Sequence, residues 1–259
     1  MKPLNTPVLA LLMGLTSLGT PQIASAQGLT SFVENNAIHT MFHEIGHAII
    51  DQFELPVIGQ EEDAVDAFAT IEVVNIYYQD AQPILLDVAA SWLYMDAQTD
   101  REDLNFYDIH DLDAQRAYRT ICHLYGLDPE NNRDAAEWAG LPEETLATCE
   151  DTAILAYDSW EAFLENGVLL AQNEGQTPIA MTHEETSLTE VKARLEESNL
   201  LEDLRQYAQV NFAWPNPIEI KASECGESNA FWDPQELTVT LCYEIVQEWM
   251  DIEANVPDR

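Results

Sequence analysis

The chain has 259 residues, 46% of them hydrophobic, which is enough for one sizeable domain with a buried core and too apolar for a disordered chain. Its formal charge of -37 at pH 7, with lysine only at Lys2, Lys192 and Lys221, argues against nucleic acid or an anionic membrane as a partner, since either would be repelled. The acids are spread along the chain and not gathered in a tail, as on a solubilising surface.

The N-terminal segment carries Lys2, an apolar run over 7–18 and the small-residue triplet Ala24-Ser25-Ala26. This pattern predicts a secretory signal peptide over 1–26, cut before Gln27, and a secreted or periplasmic mature domain over 27–259. Gly14, Gly19 and Pro21 interrupt the run, which is too short for a membrane anchor, so no membrane association is expected after cleavage. From Asn36, residues Ile38, Met41, Phe42, Ile45, Ile49 and Phe53 recur at three- and four-residue steps, predicting an amphipathic helix capped by Asn35 or Asn36. The stretch 55–59, with Pro56 and Gly59, ends it, and a second helix is expected from near Gln60 through Val73. Further helices are expected over 83–97, 114–125, 142–164 and 188–210, with strands over 217–222 and 237–241 after the Asp233-Pro234 turn. No repeat, linker or composition break divides the chain, so the fold class is a single α+β domain, mainly helical, with a small C-terminal β element. Cys122, Cys149, Cys225 and Cys242 lack CxxC spacing, which in an oxidising compartment favours disulfides over a thiolate metal site. The pairs Cys122–Cys149 and Cys225–Cys242 are preferred because each lies within one local segment.

His43-Glu44-Ile45-Gly46-His47 is an HExxH motif inside the first helix. Residues four apart on a helix share a face, so both imidazoles can meet one ion while Glu44 projects beside them toward its water. Zinc acidifies such a water, and a neighbouring carboxylate takes its proton during attack on a peptide carbonyl. Two histidines leave the ion short of a protein ligand. Glu62 on the second helix is the preferred third ligand, because Asp66 follows it by one turn and can orient a ligand histidine. Glu61, pointing about 100° away around the helix, is the rival.

These segments resemble the HExxH plus ExxxD arrangement of gluzincins, the thermolysin- and neprilysin-like peptidases. The run 43–69, together with Cys225-Gly226 and Tyr243-Glu244, resembles a bacterial metallopeptidase family of unknown function. The resemblance implies a zincin-like domain with one Zn2+ per chain on His43, His47 and Glu62, Glu44 as general base, and Asp66 hydrogen-bonded to a ligand. Asp108-Ile109-His110 followed by Arg116 resembles a neprilysin-type segment, implying that His110 steadies the developing oxyanion and Arg116 binds a substrate carbonyl. The alternative for His110 is a polar turn capping the helix that follows. His39, His123 and His183 read as ordinary core or surface residues.

Zincins usually place a sheet before the metal helix, and here too few residues precede His43 for one, so the order is permuted. The segment 229–243 is the available substitute. It is expected either to fold back beside the metal helix and offer an edge to substrate, or to form a disulfide-pinned structural hairpin. The expected activity is hydrolysis of peptide or protein substrates. The alternatives are a non-catalytic exported protein with structural zinc or a partner-binding role, and hydrolysis of a non-peptide amide. The sequence leaves the oligomeric state open.

Overall fold

A computed structural model of the chain describes residues 28–169 and 175–255. The signal peptide expected over 1–26 lies outside the described residues.

Helix α1, Ser31–Gln52, is the element on which the others pack. Its cap is Thr30, whose hydroxyl accepts from the Val33 N–H, so the helix starts ahead of the expected Asn35 or Asn36. Asn36 turns inward instead and donates from Nδ2 to the Phe32 carbonyl at 2.9 Å. The early start was hidden because α1 is not amphipathic: Phe32, Val33, Ala37, Met41, Phe42 and Ala48 are buried around its circumference. A helix that is apolar all round belongs in the interior, and a single hydrophobic stripe marks only part of it.

After Phe53 the chain reverses through left-handed residues at Glu54 (φ 50°) and Gly59 (φ 111°) and returns as α2, Glu61–Tyr77. The two helices cross closely at Gly46, where an added Cβ would lie 3.0 Å from Val65 Cγ1 and 3.1 Å from Phe68 Cδ1. Helices α3 (Ala81–Gln98), α4 (Asp113–Leu127), α5 (Arg133–Trp138) and α6 (Glu143–Phe163) complete the helical layer. α3 packs on α1, α4 on α2 and α3, and α6 on α2 and α4. The short α5 was not foreseen. Trp160 Nε1 donates to the Ala64 carbonyl at 2.9 Å, fastening α6 to α2.

The remainder runs β1 (Ala180–His183), α7 (Thr189–Ser198), α8 (Leu200–Asn211), β2 (Glu219–Ser223), β3 (Ala230–Asp233), β4 (Thr238–Cys242) and α9 (Tyr243–Glu253). The single helix expected over 188–210 is broken at Asn199, which adopts φ 59°, a conformation that asparagine tolerates better than most residues. The strands order as β1-β2-β4-β3, with β1, β2 and β4 parallel and β3 antiparallel to β4. The segment 229–243 supplies β3 and β4, both in contact with α1. β4 lies between β2 and β3 and is buried along its whole length, as its β-branched residues suit. The strand at the edge beside α1 is β3. The whole sheet follows the HExxH helix in the chain.

Disulfides join Cys122 to Cys149, linking α4 and α6, and Cys225 to Cys242, linking the loop after β2 to the end of β4. Closing loops of this length stabilises the fold by about 3 kcal/mol each. Among the described residues, no helix is long and apolar enough to cross a membrane.

Beside the first disulfide, a Cβ on Gly126 would overlap the Cys149 carbonyl oxygen and lie 2.6 Å from Ala153 Cβ. Gly126→Ala is therefore expected to push α4 from α6 and cost about 1–3 kcal/mol, read as a lower urea midpoint. A midpoint equal to the parent's would mean that the two helices are not held at this separation.

Candidate metal centre

Successive turns of α1 present His43 and His47 to the first turn of α2, and the close crossing at Gly46 brings Glu62 within reach. His43 Nε2 and His47 Nε2 are 3.2 Å apart. Glu62 Oε2 lies 3.2 Å from the first and 3.4 Å from the second. On the far side of each ring, His43 Nδ1 is 2.7 Å from Asp66 Oδ1 and His47 Nδ1 is 2.8 Å from Glu61 Oε1. A carboxylate accepts, so in the neutral rings each Nδ1 carries the proton and each Nε2 presents a lone pair. Two imidazole lone pairs and a carboxylate oxygen thus converge on one point. Such a cluster is repulsive unless a cation fills it, and these three residues are spaced to hold a metal ion. Glu62 Oε2 is buried among three imidazole nitrogens, those of His43, His47 and His110, at 3.2, 3.4 and 2.9 Å. Burial opposes charge on His43, but Asp66, Glu62 and Glu44 outweigh it and lift the imidazole to about 9, so the pocket favours added positive charge here.

Glu44 is buried beside this point, its Oε1 4.0 Å from His43 Nε2. Burial raises its carboxyl above the ordinary value against the pull of His43 and His47, and the backbone N–H of Trp232 on edge strand β3 donates to it. The sheet therefore reaches the metal helix through β3.

Arg116, on α4, donates from Nε and Nη2 to Asp66 at 2.9 and 2.8 Å, with its guanidinium 3.9 Å above the Trp92 ring. Asp66 holds Nε and Nη2 and Trp92 takes a face of the guanidinium, while Arg116 also lines the cavity at the centre. Arg116 thus fixes Asp66, which fixes His43. His110 stands in the irregular stretch before α4. Its Nε2 is 2.9 Å from Glu62 Oε2 and its Nδ1 is 3.3 Å from Asp108 Oδ1. Proximity to Glu62 raises the His110 imidazole above its ordinary value. Arg119 bridges Asp63 on α2 and Asp111, tying this stretch to the metal helices.

Glu61, considered as a rival ligand, instead orients His47, a role that sequence reasoning missed. Its position directly before Glu62 was the available signal. Trp92 and Trp232 were also missed, since each arrives from a distant segment. His39 bonds Thr70 Oγ1 at 3.3 Å, and burial depresses it to about 3, so it is a neutral core residue. His123, depressed to about 4 by burial, is neutral as well. His183 lies on β1, away from this cluster.

This is an α+β domain in which an HExxH helix is crossed by an acidic helix, and the crossing brings together three side chains that could hold a metal ion. The chain belongs to the family described as "Putative metallopeptidase", whose sequence model matches residues 18–164 and 181–257. No curated protein and no solved structure matches it.

If Asp66 and Glu61 orient the two imidazoles, Asp66→Asn should weaken metal binding by about 10–100-fold and Glu61→Gln, which is more exposed, by less. Competition against a fluorescent chelator measures both. Unchanged affinity in Asp66→Asn would show that the carboxylate is dispensable to the site.

Proposed function

We propose that the mature chain is an exported zinc peptidase that cleaves peptide bonds in the groove between α1 and β3. The observation that carries this reading is the convergence of His43 Nε2, His47 Nε2 and Glu62 Oε2, with Glu44 buried beside them. Two nitrogens and one oxygen form a donor set suited to catalytic zinc, with a position left for water or substrate. Zinc held there would supply a Lewis acid and a water acidic enough to be deprotonated near neutral pH.

The chain's own residues supply the rest. Glu44 takes the proton of the attacking water on its carboxylate and returns it to the leaving amine. Its raised proton affinity, caused by burial, suits both transfers. His110 donates from its imidazole to the oxygen on which charge develops. Asp66, held by Arg116, and Glu61 keep the ligand rings in place. The free edge of β3, whose Trp232 N–H already faces the site, offers main-chain pairing to an extended peptide. Two disulfides and the N-terminal pattern support export.

The test is the purified mature chain, from Gln27, beside Glu44→Gln. One zinc per chain in both, with hydrolysis of a mixed peptide library lowered about 10³-fold in the variant, is the expected result. Stoichiometric zinc without cleavage by the parent would transfer the case to a partner-binding protein, and absence of zinc under metal-replete conditions would end the reading.

A further inference from the structure

The cavity at the metal centre, about 880 Å³, extends past the ion cluster toward the N-terminal half of α1. Its far end is walled by Val88, Trp92 and Met95 of α3 and by Ile245 and Trp249 of α9. Of the polar side chains that line the same cavity from the N-terminal half of α1 and from α3, Asn36, His39 and Ser91 are engaged within the protein and Thr40 is half-buried. Ser91 Oγ donates to Asn36 Oδ1 at 2.6 Å, Asn36 Nδ2 donates to the Phe32 carbonyl at 2.9 Å, and His39 bonds Thr70 Oγ1. With most of its polar groups engaged and two tryptophans in its wall, the inner end suits a large apolar side chain.

The mouth has the opposite character. Asp108 and Glu248 line it. Arg116 is the only lysine or arginine among the described lining residues, and Asp66 holds its guanidinium. The stretch carrying His110 repeats this pairing of characters. Phe106, Tyr107 and Ile109 are 73%, 97% and 68% exposed and alternate with Asp103, Asp108 and Asp111. Exposed apolar groups in such a row mark a contact surface, and the acids among them set the sign of what is met.

We infer that the groove selects cationic peptides carrying a bulky apolar residue, with the apolar side chain between Trp92 and Trp249 and lysine or arginine against Asp108 and Glu248. This rests on the peptidase reading for its chemistry, but the recognition can be measured without cleavage. The whole-chain charge of -37 draws such peptides toward the protein, and the groove distinguishes those that fit.

The experiment uses zinc-loaded Glu44→Gln chain and three labelled peptides of equal length: lysine with leucine and tryptophan, glutamate with the same apolar residues, and lysine with serine in their place. Fluorescence anisotropy should show the first binding about tenfold or more tighter than either of the others at low ionic strength, with its lead over the glutamate peptide shrinking in high salt. Equal binding of the glutamate or the serine peptide overturns the inference. Glu248→Lys and Asp108→Lys, each added to that background, should weaken binding of the first peptide about fivefold, whereas Glu144→Lys, the same charge change on exposed α6, should alter it less than twofold. Equal losses at all three positions would assign the preference to overall charge and remove the groove from the account. Hydrolysis of the same peptides by the parent separates the two readings. Selective binding without any cleavage sinks the peptidase alone, and cleavage without selectivity sinks the recognition proposal alone.

Discussion

The close crossing of α1 and α2 at Gly46 is the constraint on which the candidate centre depends. A side chain there would meet Val65 and Phe68 and hold the second helix away. With none, Glu62 reaches both imidazoles, Glu61 and Asp66 reach the outer nitrogens, and one face of α2 serves three purposes within two turns. The glycine is one of the unspecified positions of HExxH, yet it governs how near the acidic helix can come. The reversal through Glu54 and Gly59 supplies the direction of approach.

Charge around the centre is arranged in alternation. Arg116 meets Asp66, Asp66 meets His43, and His43 faces Glu62, each with the opposite or complementary character of its neighbour. Burying any one of these groups alone would be costly, and the chain of partners offsets that cost. Stacking on Trp92 keeps the guanidinium flat against α3, so a surface-type cation becomes an interior strut. The result is a rigid frame that converges two imidazole nitrogens and one carboxylate oxygen on a single point. That rigidity suits a site that must hold its geometry before its ion arrives.

Much of this was legible from spacing alone. Histidines four apart, and Glu62 four before Asp66, declare shared helix faces, and local periodicity is the most readable property of a helical sequence. The disulfide partners were readable for the same reason, being neighbours within their segments. What could not be read depended on burial or distance. The start of α1 was masked because its interior position makes every face apolar. The break at Asn199 left no mark in an unbroken hydrophobic pattern and rests on one residue's tolerance of a left-handed conformation. Knowing which strand of 229–243 forms the edge required the strand order, which neither strand's composition contains. Arg116 was legible as part of a motif, but its hold on Asp66 was not, because Asp66 lies fifty residues away in sequence and meets it only in space.

The position of β3 has a temporal consequence. A chain that emerges from the ribosome or a translocation channel N-terminus first presents the HExxH helix early and the strand that closes the groove almost last. Until residues 230–233 have emerged and β3 has added to β4, Glu44 lacks its backbone donor and the groove lacks one wall. The candidate cluster and Glu44 can thus be assembled while the wall that β3 adds to their groove is still missing. Connectivity itself makes closure of that groove one of the last events in assembling the fold.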